Sequence, residues 1–489
     1  MSGVKRSFRP RFEQLEDRLT PSDNPSLPVP VLSSLPGAKA SIYLDFNGHF
    51  DASWGSFSNV DTPAFDNDGN INAYSANELQ AIQDIWKEVA EDYAPFNINV
   101  TTVVPTSFAL LTAVRVSIGG NGSWNNLNAG GLAFLEAFNT DLDSNGLVRT
   151  AYVFSGVFTI TQNIATASSH EAGHTFGLQH QTEYINGQAQ NGGYYTGLPD
   201  GTAPIMGVGY DVVRTLWWYG TSTTASTFQE DVAVISRPTN AFGYRADDAG
   251  NTNATAAALT GTSTKNPDGT ITVTVAKKGI IAQMSDVDVY SFKAVPGPVS
   301  FKADVPDPFN NLDVKVELRD SSGAVLASDD PSGSFDASVS FTIPKAGTYY
   351  LAVSSHGVSS AATPTNYGND VGGYEVDGTY VGPASQQNNS ILNLFGAVRW
   401  VYQAKTKTYS AIVTLMPTED ITGPFTVTIK LPNGSIQWIT PGGTRSGKNV
   451  KMTYNNDLTA GTPFRFVVKI KNPLHKDLGT FFKGLKIGV

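Results

Sequence analysis

His170, His174 and His180 fall within eleven residues of a 489-residue chain that holds six histidines in all, and their spacing restricts what this stretch can form. On an α-helix His170 and His174 stand one turn apart on the same face, so two imidazoles can grip one ion. Gly177 tolerates positive φ and can end the helix, and the turn there brings His180 round as a third nitrogen. Three protein nitrogens leave one position of a tetrahedral zinc open for water, the arrangement of a catalytic site and not a structural one. Glu171 directly follows the first ligand and is placed to receive a proton from that water.

A bare His-Glu-x-x-His pattern also arises on ordinary helices; the added glycine and third histidine narrow the choice, and a second element narrows it further. Residues 203–207 hold Met206 in a turn bounded by Pro204 and Gly207. Together these stretches resemble the zinc-binding helix and Met-turn of the metzincin metallopeptidases. The resemblance spans residues 38–243. It implies an α+β catalytic domain, Zn2+ as cofactor, a protein or peptide substrate, Glu171 as general base, and Met206 beneath the three histidines. Residues 130–134 resemble the edge strand on which such enzymes lay an extended substrate, with Gly131, Leu132 and Ala133 as the expected peptide contacts. An ordinary strand with a Gly-Gly bulge is the competing reading. Gln181, after the third histidine, fits no particular subfamily. Val208 stands where astacin-like and serralysin-like members carry a tyrosine. Tyr210 is the nearest tyrosine for a zinc or transition-state contact, against a plain core or surface role.

The flanking sequence reads as alternating elements. Residues 40–46, 97–104, 114–118 and 151–154 are rich in β-branched and aromatic residues and predict strands. Ser75 and Glu78 form a capping-box pattern before a helix whose apolar positions are Leu79, Ile82, Ile85, Trp86, Val89 and Tyr93, with Pro95 ending it.

Composition bounds the remainder. The length suggests about three domains, and many Gly, Thr, Ser and Asn residues suggest β-rich, loop-heavy modules. Zero cysteines exclude disulfides, a cysteine nucleophile and thiolate-on-zinc latency. No apolar run is long enough for a transmembrane segment, and no basic helix or motif points to nucleic acid. Asp141, Asp143 and Asn145 put oxygen ligands at alternate positions before Gly146, the start of a Ca2+ loop, but Tyr152 occupies the place of the closing glutamate of an EF-hand. Structural calcium is one reading there, and a solvated Asx-rich turn the other. From residue 384 onward, 13 Lys and Arg stand against 4 Asp and Glu in a chain of net charge −10. That basic tail suits an anionic surface, or is simple surface bias.

Residues 9–22, centred on Leu15, Glu16, Arg18 and Leu19, lack the apolar stretch of an ordinary signal peptide and resemble a leader of predicted extracellular planctomycete proteins, against a solvated N-terminal helix. Four prolines make 23–37 a linker, so residues 1–37 form a leader and linker. Beyond Gly243 the stretches 247–252, 285–292 and 347–353, with Asn311 and Asp313, resemble a bacterial pre-peptidase C-terminal domain over 244–383. That resemblance implies a small β-sandwich able to bind calcium or matrix proteins. Strand patterns at 425–431 and 464–470, with turns at 432–434 and 441–443, predict another sandwich over 384–489, an anchoring or stabilising module.

The expectation is an extracellular or cell-surface bacterial zinc endopeptidase: an α+β metzincin catalytic domain followed by two β-sandwich domains that bind cell surface or matrix. The alternative is a surface adhesion or matrix-binding protein on an inactive metzincin scaffold. Intact Glu171 and three histidines favour the enzyme, since a pure binder has no need of a base.

Overall fold

The structure, a computed structural model, describes residues 27–383 except 126, 128, 142–148, 307, 309, 359–362 and 364, together with parts of 392–488. The leader-like stretch 9–22 and most of the Asp141–Gly146 loop lie outside the described residues, as do residues 432–434.

The first unit is built on a five-stranded sheet. Its strands are β1 (Ala40–Asp45), β4 (Ile98–Thr101), β5 (Ala113–Ile118), β6 (Gly131–Leu132) and β7 (Thr150–Val153), in the order β4-β1-β5-β7-β6. All neighbours are parallel except β6, which runs antiparallel to β7 and forms the edge. Two strands, β2 (His49–Trp54) and β3 (Phe57–Thr62), make a separate hairpin. Two helices, α1 (Ala76–Asp92) and α2 (Thr161–Thr175), pack against the sheet through Ile82, Ile85, Val89, Ile164 and Ala165, which share one core with Ile42, Val100, Val116 and Val153. The opposite face follows from strand alternation: Tyr152 points away from Ala151 and Val153 and joins Trp54, Val60 and Phe154 under the hairpin.

α1 starts where the capping box placed it. The Ser75 N–H donates to Glu78 Oε2 at 2.8 Å, and the Glu78 N–H donates to Ser75 Oγ at 3.3 Å, which satisfies two otherwise unpaired donors. It ends at Tyr93, two residues before Pro95.

The second unit is a pair of five-stranded sheets. One contains Val287–Ala294, Gly347–Ser355 and Val314–Arg319; the other contains Ile271–Ile281, Gly372–Gly382 and Gly297–Asp304. Tyr290, Phe292, Val316, Leu351, Phe301 and Val376 fill the space between them. Beyond residue 391 the described strands fall into two further sheets, around Thr408–Pro417 with Phe464–Lys471 and around Phe425–Lys430 with Asn449–Tyr454.

The fold class expected from the sequence needs correction. Among the described residues strand (41%) outweighs helix (12%) and is spread over many sheets, so the chain is not built around a helix-rich α+β metzincin catalytic domain. The physical reason lies in what the motifs emphasised. The capping box and the histidine spacing identify helices, and α1 and α2 exist. Most of the remaining regular backbone is strand, often in pieces as short as Gly131–Leu132 or Thr202–Pro204, whose hydrogen bonds go to other strands. Among the described residues, no helix is long and apolar enough to cross a membrane.

The boundary near Gly243 is not a clean cut. Tyr367–Gly368 pairs antiparallel with Trp218–Thr221 of the first unit, and Val371 lies in the first unit's core. Arg214 and Asp370 form a buried ion pair across the units at 3.1 Å.

Candidate metal centre

Nearly all of α2 is buried, so it is a core helix and not an amphipathic surface one. It stops as Gly177 implied. Gly177 has φ +104, its N–H donates to the His174 carbonyl at 2.9 Å, and the Leu178 N–H donates to the Gly173 carbonyl at 3.1 Å. These bonds make a Schellman closure. A side chain at 177 would run into the Arg237 guanidinium, so both the backbone and the space require glycine.

That closure turns His180 back onto the helix. The candidate ligand atoms of His170, His174 and His180 lie within 4.8 Å of one another, and the two Nε2 atoms of His174 and His180 are 3.1 Å apart. Tetrahedral zinc with bonds of ~2.1 Å spaces its nitrogens ~3.4 Å apart. His170 Nδ1 lies 2.8 Å from the Ile205 carbonyl and His174 Nδ1 lies 2.7 Å from the Leu178 carbonyl. A carbonyl only accepts, so both rings hold their proton on Nδ1 and turn a bare Nε2 lone pair inward. Burial, then repulsion from the neighbouring rings, pushes His170 well below the usual imidazole range. The same two causes bring His174 down to about 4, and burial lowers His180. Three neutral nitrogens facing one point fit Zn2+.

Glu171 is buried beside this point, and burial pushes its carboxyl up to about 8. A dication among the histidines would oppose that shift, because an adjacent positive charge favours the carboxylate. Gly131 of β6 packs directly on Glu171. Leu132 pairs with Tyr152, and among the described residues the far side of β6 has no strand partner in the sheet. Ala133 follows the strand, partly buried. The edge expected to hold substrate therefore borders the candidate base.

Met206 is fully buried. An ideal Cβ on Gly173 would sit 2.9 Å from Met206 Sδ, so the methionine lies against the helix that carries the first two histidines. Tyr210 packs on Phe158 at 5.3 Å, and its hydroxyl lies 3.4 Å from where a Cβ on Gly130 would be. Burial, then the Glu171 charge, pushes its phenol upward. The structure thus brings Tyr210 to the site.

Sequence reasoning missed Tyr194, whose ring lies 4.4 Å from that of His180 and whose phenol is raised by burial and by the Glu171 charge. No spacing rule marks a residue inside a long loop. Of the expected calcium ligands, Asp141 is described, while Asp143 and Asn145 lie outside the described residues. A different acidic group, Asp247, Asp286 and Asp288, holds its oxygens within 4.8 Å of one another in the second unit and could hold a cation. Asp288 is fully buried; its Oδ2 accepts from the Tyr374 hydroxyl at 2.5 Å while its Oδ1 has no partner. Burial pushes its carboxyl up to about 8. The signal in the sequence was an aspartate on the same strand face as Tyr290 and Phe292.

Residues 286–355 match the bacterial pre-peptidase C-terminal domain family. The match does not reach the histidines. Among solved structures, the pre-peptidase C-terminal domain of a collagenase from Bacillus anthracis is similar to this chain at 18% identity, over 27% of this chain and 97% of that one, with a TM-score of 0.18. A putative secreted protein from Eubacterium rectale is similar at 11% identity over 44% of this chain and 71% of that one, with a TM-score of 0.14. A GH2 beta-galacturonidase from Eisenbergiella tayi is similar at 11% identity over 42% of this chain, which spans 30% of the enzyme, with a TM-score of 0.13. No curated protein matches the chain. Asp286 and Asp288 therefore belong to the pre-peptidase C-terminal domain, and so does Asn311, which bonds to the first unit.

Proposed function

We propose that this chain is a zinc-dependent endopeptidase acting on protein or peptide substrates outside a bacterial cell. The observation that carries the proposal is the convergence of three neutral imidazole nitrogens beside the buried Glu171, at a sheet edge with no strand partner among the described residues. The family name of the pre-peptidase C-terminal domain supports a bacterial peptidase.

His170, His174 and His180 would hold the metal through Nε2. Zinc bound there supplies Lewis-acid polarisation of a carbonyl and acidification of water. An extended peptide adds to the free side of β6 through main-chain hydrogen bonds, which gives recognition with little dependence on side chains. Glu171 takes the proton from the attacking water at its carboxylate and returns it to the departing amine. Tyr210 and Tyr194 place phenols around Glu171, able to donate to a carbonyl oxygen that gains charge.

The test compares wild type with Glu171→Ala on an unstructured protein substrate, with zinc measured in both. The expected result is equal zinc content and a rate at least ~10²-fold lower in the variant. Wild-type cleavage by a pure preparation of the variant would refute the assignment.

A further inference from the structure

The residue before the first histidine is held from two directions. Ser169 Oγ donates to Asp92 Oδ2 at the end of α1, and the Tyr93 hydroxyl donates to the Ser169 carbonyl at 3.0 Å. Asp92 is fully buried. Its other carboxylate oxygen, Oδ1, accepts from Asn311 Nδ2 of the pre-peptidase C-terminal domain at 2.7 Å, and its main-chain carbonyl accepts from Trp217 Nε1 at 2.6 Å. Asn311 is itself buried, and its carbonyl accepts from Arg214 at 3.3 Å. A continuous path of hydrogen bonds therefore runs from Asn311 through Asp92 to Ser169, the residue that precedes His170 in the chain.

We propose that Asn311 is a positioning residue for the histidine centre, holding α2 in place through Asp92 and Ser169, so that the pre-peptidase C-terminal domain is part of the metal site's supporting structure. This inference rests on the reading of the three histidines as zinc ligands. Asp92 has two carboxylate oxygens and two side-chain donors, one from each unit. Without Asn311 a buried oxygen loses its donor, and the carboxylate must turn or draw water in to recover one. Either movement disturbs the bond to Ser169. Because His170 is the next residue on the same helix, its ring shifts with it. Three nitrogens meeting at one ion tolerate displacements of only ~0.5 Å.

The experiment uses the full chain and reads zinc affinity by chelator competition, together with the visible absorption of the cobalt-substituted protein, which reports ligand geometry. Asn311→Ala and Ser169→Ala cut the path at its two ends. Asn369→Ala is the control, since it removes a different side-chain bond across the units, from Asn369 Nδ2 to Glu230 Oε1 at 2.6 Å, that does not lead to α2. We expect each cut to weaken zinc binding ~10-fold or more and to alter the cobalt spectrum, as loss of an outer partner of a metal ligand does. The control should leave both unchanged. The exchange Asp92→Asn with Asn311→Asp, which keeps donor and acceptor facing each other, should restore the spectrum. Wild-type affinity and spectrum in both Asn311→Ala and Ser169→Ala would overturn the proposal, as would an equal effect of Asn369→Ala. Should Asn311→Ala fail to fold, Ser169→Ala and the exchange decide the matter. Failure of the wild type to bind either metal would overturn the zinc reading and this inference with it, whereas normal metal binding by the cut variants overturns this inference alone.

Discussion

Gly131 and Glu171 touch so closely that a methyl group on the Gly131 α-carbon would sit 2.6 Å from Glu171 Cγ and 2.7 Å from Oε1. Gly131 is not among the glycines with positive φ, so its role is space and not backbone freedom. We expect Gly131→Ala to push Glu171 off its position and to slow peptide cleavage ~10-fold or more, because small misplacements of a catalytic group are costly. Zinc content should stay at wild-type level. Full activity in Gly131→Ala would show that Glu171 has room to spare.

His174 should be indispensable for the metal. Its Nδ1 is committed to the Leu178 carbonyl, so its Nε2 is available only to the centre. Metal analysis of His174→Ala should find no stoichiometric zinc, and chelation of the wild type should abolish cleavage until zinc is returned. A full equivalent of zinc in the variant would remove His174 from the ligand set.

The sequence suggests that residues 38–243 hold catalysis by themselves; the contacts across the units argue against it. Cutting at 243 leaves Arg214 without Asp370, Asp92 without Asn311, and the first core without Val371. Breaking one buried ion pair costs about 3–5 kcal/mol, against a total stability of about 5–15 kcal/mol for a typical protein. We expect the 38–243 fragment to lack a cooperative thermal transition and 27–383 to show one. Near-ultraviolet circular dichroism of the two fragments checks this, and a well-folded short fragment would contradict it.

Glu91 should make stability depend on pH. Burial pushes its carboxyl up to about 7, although the Gly373 N–H at 2.7 Å pulls the other way. With a folded pKa above the unfolded value, the native state retains a proton that the unfolded chain gives up between pH ~4.5 and ~7. The associated stability is full below that window and is lost as pH rises through it. Glu91→Gln removes the effect, so it should match wild type near pH 4.5 and exceed it by roughly 1–3 kcal/mol at pH 8. Denaturant melts at both pH values measure the difference; equal values at pH 8 would mean that Glu91 ionises without penalty.

Local spacing explains what could be read from the chain. His170, Glu171, His174, Gly177 and His180 act within three turns, and Ser75 and Glu78 within one, so sequence separation fixes their geometry. The strands that start at Ala40 and Ala113 carry near-continuous runs of buried residues, as strands covered on both faces do. What the sequence hides is long-range. Asn311 and Asp92 are 219 residues apart, and Trp218 and Asn366 are 148 apart. No propensity predicts such pairs. The fold class is hidden for a related reason: two helices are strongly marked in the sequence, whereas many short strands are weakly marked and pair with distant partners.

The pairing of Tyr367–Gly368 with the first unit also sets a clock on biosynthesis. A ribosome that has just made Gly243 still has to add more than a hundred residues before that strand emerges, which at ~5–20 residues per second takes on the order of ten seconds. Until then the Trp217 carbonyl lacks its donor, the Asn369 N–H, and the Trp218 indole lacks its acceptor, Asn366. In that order the contacts that the second unit makes with the first, from Asn311 to Val371, are the last of these to form.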